Sequence, residues 1–358
     1  MKRQLRRHLK AMTLVEIMVV IAIIGLLAVV MVPTVKYQYR NRSVKEGERQ
    51  LNAFIGAAQA RAQQLGRPVG VWVERFNKDI PVPSLPVGAN YSVQIYQAEV
   101  PRPYTGDLQN SRVTITLSPQ HRVINFPLAS ALRNPNNPLI RPDDRFKIQF
   151  DHRGPFHEAH RLNTPGPPVY ILLLNTLVTG GQIPKAAFSS SGVPYTIHRR
   201  PVRSFVSSLR LPQGAVIDLS VSGIAPVGTQ FNHKDNDATR EPVIVMFHPD
   251  GSVGDVYFHG FPARPLGWIH LLVGRQDMVV PTNPLLETET EAANLMYSEN
   301  RWVSINHRTG TVTSERLADI NSAMRLLPNP GNPTVAETEY LIGLSRELVR
   351  TGSGLEDD

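Results

Sequence analysis

Glu16 is the residue whose surroundings most constrain this chain. It stands near the start of an apolar run from Met12 to Pro33, and between Ile17 and Val32 no residue is polar. A carboxylate in such a segment costs several kcal/mol at bilayer depth unless a counter-charge meets it. Ahead of the run lie residues 1–11, carrying Lys2, Arg3, Arg6, Arg7 and Lys10 and no acid. A cut between Ala11 and Met12 would create a new amine four residues from Glu16. In a bundle of such helices, Glu16 of one copy could then neutralise the amine of its neighbour, so that two costly charges become one pair.

Other constellations hold residue types that could do chemistry. Asp151, His152, His157, Glu158 and His160 place three histidines within nine residues. Zinc takes such ligands, yet the spacing fits neither H-E-x-x-H nor a zinc finger, and a solvated turn beside Gly154-Pro155 is the favoured reading. Asp235, Asn236 and Asp237 suggest calcium, but the Gly and the distal Glu of an EF-hand are missing, and an exposed loop is favoured. His198-Arg199-Arg200-Pro201-Val202-Arg203, with Arg210 nearby, is the strongest basic patch beyond residue 11. Arg199, Arg200 and Arg203 could contact a nucleic-acid backbone, although ordinary surface arginine is the favoured reading. Ser189-Ser190-Ser191-Gly192 lacks the nucleophile elbow, and no phosphate loop or dinucleotide fingerprint is present. Neither catalysis nor a metal or cofactor is expected.

The elements that position Glu16 follow from periodicity. Residues 12–32, as a helix, span roughly 31 Å, the thickness of a hydrocarbon core. The basic start holds residues 1–11 in the cytoplasm and sends the rest across; Lys36, Arg40 and Arg42 weaken that orientation without reversing it. A secretory signal peptide would be shorter, would lack Glu16 and would end in a small-residue cleavage site. A plain anchor leaves Glu16 unexplained. Beyond Pro33, Val44, Leu51, Ile55, Ala58, Ala62 and Leu65 recur at three- and four-residue spacings, which predicts an amphipathic continuation ended by Gly66-Arg67-Pro68.

Met12-Thr13-Leu14-Val15-Glu16-Ile17 resembles the prepilin-type motif of type IV pilins and type II secretion pseudopilins, with Gly25 and Pro33 where that family's helix has its Gly and Pro. The resemblance implies cleavage by prepilin peptidase between Ala11 and Met12, N-methylation of Met12, and assembly with other pilin-type subunits and their platform. It departs from the family at Ala11, where Gly is usual. A looser resemblance, best near residues 45–75, 243–258 and 302–313, is to the GspH/FimT-type minor pseudopilins, some of which bind DNA. It implies a non-enzymatic subunit of a secretion pseudopilus or pilus-like filament, with a surface binding protein for DNA uptake or adhesion as the alternative.

The rest of the sequence bounds the head. Formal charge is +8, but residues 1–11 contribute +5, so the remainder is near +3 and the high pI is not a nucleic-acid signal. No cysteine is present, so stability must come from core burial and sheet pairing. Short runs at Val69–Val73, Tyr91–Tyr96, Val113–Leu117, Phe146–Phe150, Val169–Leu174, Ala215–Leu219, Val243–Phe247 and Trp302–Ile305 predict antiparallel strands. His248–Gly251 and Arg308–Gly310 predict hairpin turns. Asp79–Gly88, Arg133–Asp144 and Asn163–Pro168 read as Pro-rich insertions. Ser314–Leu327 and Thr334–Arg350 carry helical stripes, the second with Thr334 as its expected N-cap. The expected architecture is α+β: a leader (1–11), a transmembrane helix (12–33), an amphipathic continuation (34–66), a β-rich head (67–313) and a helical end with a loose tail (314–358). The leader is expected in the cytoplasm, the helix in the inner membrane and the head in the periplasm.

Overall fold

The structure, a computed structural model, describes residues 14–76, 87–117, 122–127, 130–134, 139–140, 145–162, 170–174, 183–233, 241–286, 292–329, 333–347 and 349, and of residues 28–40 the backbone alone. Helix α1, Leu14–Leu65, runs 52 residues through Gly25 and Pro33. It stops where a stop is encoded, at Gly66 with φ +60°, a conformation that favours glycine. Of its predicted stripe, Val44, Leu51, Ile55, Ala58 and Ala62 are within the core, with Phe54 beside them, while Leu65 in the last turn is exposed.

Among the described residues seventeen strands follow: β1 (Val69–Glu74), β2 (Tyr91–Ser92), β3 (Gln94–Glu99), β4 (Arg112–Leu117), β5 (Arg122–Asn125), β6 (Arg145–Phe150), β7 (Phe156–Arg161), β8 (Ile171–Leu173), β9 (Val193–His198), β10 (Val202–Arg210), β11 (Ala215–Ile224), β12 (Val243–Phe247), β13 (Val253–Phe258), β14 (Phe261–Ala263), β15 (Ile269–Arg275), β16 (Arg301–Ile305) and β17 (Val312–Arg316). They form a six-stranded sheet A in the order β10-β3-β1-β12-β13-β14, a five-stranded sheet B in the order β17-β16-β15-β11-β2, and a closed barrel β4-β5-β8-β7-β6-β9. The architecture is α+β. Where one β-rich head was expected, the chain builds two sheets around α1 and inserts a barrel between β3 and β10, which are neighbours in sheet A.

The two sheets meet across the helix. Val69, Val71, Val73, Val243, Val245 and Phe247 of sheet A pack with Leu51, Ile55, Ala58 and Ala62 of α1 and with Ile217, Leu219, Leu271, Val273, Val303 and Ile305 of sheet B in one core. Both predicted hairpins form, β12–β13 and β16–β17, and their turns clasp the end of α1. Gln59 donates to the Gly310 carbonyl, and the Val253 amide donates to the His307 carbonyl at 2.9 Å. A Cβ on Gly310 would lie 2.1 Å from the Gly251 carbonyl oxygen, so this junction admits only glycine there.

The barrel has its own core, including Val113, Ile115, Ile148, Phe150, Ala159, Tyr195 and Ile197. Strand β6 alternates, with Phe146, Ile148 and Phe150 inside and Arg145, Lys147 and Gln149 outside. Its outward residues reach sheet A. Arg145 lies over the Phe261 ring at 3.8 Å, and Lys147 pairs with Asp255 at 3.3 Å.

The chain's end covers the other face of sheet B. The stripe expected over Ser314–Leu327 is not one helix: Ser314–Arg316 belong to β17, and only α2 (Asn321–Arg325) is helical. Pairing with Arg301, Trp302 and Val303 of β16 outweighs the local helical pattern. Helix α3, Val335–Ser345, starts at the predicted Thr334 cap with a capping box to Glu337. Leu317, Ile320, Leu341, Ile342 and Val349 pack on Val221, Leu272 and Trp302. Arg346 fastens this layer. At 0% exposure, its guanidinium donates to the carbonyls of Val221 (2.6 Å), Ala225, Pro226 and Gly228 (each 3.0 Å) and stacks on Trp302 at 4.6 Å.

Arg346→Ala would leave four carbonyls without their donor and a void against Trp302. It is expected to lower unfolding stability by about 3–5 kcal/mol, read by urea denaturation of the detergent-solubilised chain. Loss under 1 kcal/mol would contradict the fastening role.

Candidate functional site

The amino-terminal part of α1 differs from the rest of the helix in one respect: among the described residues, its apolar side chains are exposed. Leu14 is 74% exposed, Ile21 64% and Leu26 70%. Twenty-odd residues later, Leu51, Ile55, Ala58 and Ala62 of the same helix are at zero exposure. Such a contiguous apolar surface is what an interaction with lipid or protein requires.

Glu16 lies in the first turn of this segment, where a carboxylate is favoured by the helix dipole. Gly25 is on the exposed part, and a Cβ added to it would meet nothing within 4 Å. Packing inside the chain therefore does not explain a glycine there. Pro33 lies within α1 by backbone, and its side chain is outside the described set. Ala11 and Met12, between which cleavage is expected, lie outside the described residues. Among the described residues, no helix is long and apolar enough to cross a membrane; the expected span at 12–33 falls partly outside them.

The remaining candidates are dispersed. Arg200 pairs with Glu241 at 2.5 Å, and Arg203 stacks over Tyr96 at 4.5 Å. Arg199 donates to the Arg102 carbonyl at 3.3 Å, and burial lowers its pKa. These arginines lie where β9 leaves the barrel and β10 enters sheet A, and Arg200 and Arg203 are tied to sheet A. Strand alternation separates the histidines: His157 faces into the barrel, whereas Glu158 and His160 do not share that face. His152 sits in the preceding turn with φ +56° and a 2.7 Å bond to Thr196 Oγ1. Among the described residues, no group of three or more histidine, aspartate and glutamate side chains could hold a metal ion. Asp235, Asn236 and Asp237 lie outside the described residues.

Sequence reasoning passed over a buried polar network on sheet B. Asp218 accepts from the Ser220 amide and hydroxyl at 3.0 and 2.5 Å and from Asn294 Nδ2 at 2.9 Å. Burial pushes its carboxyl above the ordinary range. Asn294 also holds both backbone groups of Arg275. Lone Asp and Asn residues at distant positions carry no local signal of such a contact. The network links structural segments and is sealed from solvent.

Residues 6–32 match the family described as the prokaryotic N-terminal methylation motif. The match covers part of the basic start and almost all of the apolar run, and none of the head. It marks a type IV pilin-like leader of the kind carried by membrane-anchored pilin-like proteins. Processing by prepilin peptidase and assembly with other pilin-type subunits are what such a motif implies. No curated protein and no solved structure matches the chain.

The division of α1 predicts different responses along one helix. Leu51→Ala is expected to destabilise the head by about 2–5 kcal/mol, and Ile21→Ala to leave its unfolding midpoint unchanged. Equal effects in denaturation of the solubilised protein would show that the two parts are not distinct.

Proposed function

We propose that this chain is a non-enzymatic, minor pseudopilin-type subunit of a type II secretion pseudopilus or type IV pilus-like filament. The observation that carries the reading is the methylation motif over residues 6–32 placed directly on a helix whose apolar start is exposed and whose second half is locked into a folded head. In this reading the precursor is a single-pass inner-membrane protein, anchored by residues 12–33, with the leader cytoplasmic and the head periplasmic. Prepilin peptidase cuts between Ala11 and Met12 and methylates Met12.

Assembly then follows from charge and packing. Leaving the bilayer, the apolar segments pack against one another, and Glu16 of one subunit meets the Met12 amine of the next. Losing one partner of a buried pair costs about 3–5 kcal/mol, a hundredfold or more in an equilibrium constant. Gly25 gives neighbouring helices a place to approach closely. The size of the head favours a tip or initiating position, since a bulk subunit must tile tightly against many copies. The GspH/FimT-type minor pseudopilins remain the class this head is compared with in the proposal.

Two measurements test it. Mass spectrometry of the natural protein from cells containing the peptidase should find a chain beginning at methylated Met12; an intact leader on functional protein would refute the processing. Glu16→Ala should leave membrane insertion unchanged and lower filament incorporation at least a hundredfold, read by fractionation of sheared filaments. Normal incorporation of that variant would remove the pairing.

A further inference from the structure

Two histidines of the inserted barrel sit where a proton is poorly accommodated. His157 on β7 is 3% exposed, its ring lies 5.3 Å from that of Phe150 on β6, and neither ring nitrogen has a hydrogen-bond partner. The charge that faces it is Arg122 of β5, whose Nη1 is also buried without a partner. Further along the same buried face of β7, Arg161 donates to the Ile140 carbonyl. The nearby acids of this stretch, Asp151 and Glu158, are exposed to solvent.

His198 on β9 is the second. Its Nε2 is buried without a partner, and its ring meets Phe156 edge-on at 5.0 Å. Lys147 of β6 lies directly opposite, with Glu158 of β7 on the far side of that lysine in the same cross-strand row. Arg199 and Arg200 follow in the chain. Lys147 is itself the residue that pairs with Asp255 of sheet A. Burial first, and then Arg122 for His157 and Lys147 for His198, hold both imidazoles below the ordinary histidine range.

We propose that His157 and His198 make the inserted barrel an acid-sensitive switch, in which protonation puts uncompensated charge into its wall and loosens β6, β7 and β9 while the two sheets around α1 stay folded. The sign follows from linkage. An unfolded barrel binds protons at the ordinary imidazole pKa near 6.5, and the folded barrel binds them less readily. The stabilisation is therefore complete above about pH 6.5 and declines as pH falls below it, by up to about tenfold in the opening equilibrium per pH unit for each histidine. Among the described residues, the core shared by sheets A and B around α1 is aliphatic and aromatic; the buried His270 of β15 is bonded to Ser304 Oγ at 2.6 Å and packs against Trp302.

Hydrogen–deuterium exchange of the full chain in detergent micelles, compared at pH 7.5 and 5.5 after correction for intrinsic exchange, tests this. Amides of β6, β7 and β9 should lose protection by roughly 10- to 100-fold, with β1 and β12 unchanged. The double variant His157→Leu, His198→Leu should keep barrel protection at pH 5.5. Protection independent of pH in the wild type, or an equal acid loss in the double variant, would overturn the proposal. Should that variant fail to fold, C2–H exchange of the wild-type histidines decides instead: titration of both below the ordinary range supports the switch, and titration of both at or above it overturns the switch.

Discussion

The structure depends on the carboxy-terminal half of α1 being a core element for two sheets at once. Sheets A and B share no strand, so their inner faces are joined by what lies between them. Leu51, Ile55, Ala58 and Ala62 are at zero exposure there. The two alanines keep that face of the helix slim where the sheets close in, and the clasp of the Gly251 and Gly310 turns fixes its end. Withdrawing the helix would expose both inner faces together, an apolar area worth tens of kcal/mol at about 25 cal/mol per Å². A pull on the exposed start of α1 is therefore transmitted to the whole head.

The barrel could be added to this frame without disturbing it because of where it enters. Strands β3 and β10 are hydrogen-bonded neighbours at one edge of sheet A, so the chain leaves and returns at nearly the same place. The pairing of β3 with β1 keeps one register, and the irregularity falls on the returning strand, whose register on β3 shifts between Arg203 and Ser208. Contacts between barrel and sheet are then made by outward residues, Arg145 and Lys147, with Arg200 at the junction. Polar tethers of this kind resemble those between domains more than those within a core. The basic run around Arg199 to Arg203 follows from this position: Arg200 and Arg203 fasten the returning strand to the sheet.

Much of this was legible in the sequence where a pattern was local. The alternation in Val69–Val73 and Phe146–Phe150, the Gly66 stop, the two glycine turns and the Thr334 cap each predict the element that forms. The sequence did not reveal which sheet a strand joins: Val113–Leu117 and Val243–Phe247 look alike, yet one lines a barrel and the other a sheet. Strand β15 is buried along all seven residues, so Ile269–Arg275 shows no alternation to read. Ser314–Arg316 fit a helical stripe and became a strand through pairing with β16, a contact no local pattern encodes. Of the candidate site, the apolar run and Glu16 were plain in sequence, because a membrane-length pattern needs no tertiary information.

Two charges in apolar surroundings show two ways of meeting one constraint. Arg346 is a donor, and a folded chain is rich in acceptors; the end of β11 and the turn after it, residues 221–228, offer four carbonyls to its two terminal nitrogens without any carboxylate. Glu16 is an acceptor on a helix, where amide donors beyond the first turn are committed to the helix itself. Under the proposed function, cleavage after Ala11 would supply an amine on a neighbouring copy as its counter-charge. A buried cation can thus be solved within one chain, at the cost of a strained Ala225 with φ +68°, while a carboxylate on a bare apolar helix is best solved between chains. That asymmetry makes the first a device for holding a head together and the second, under the proposed function, a device for counting neighbours into register.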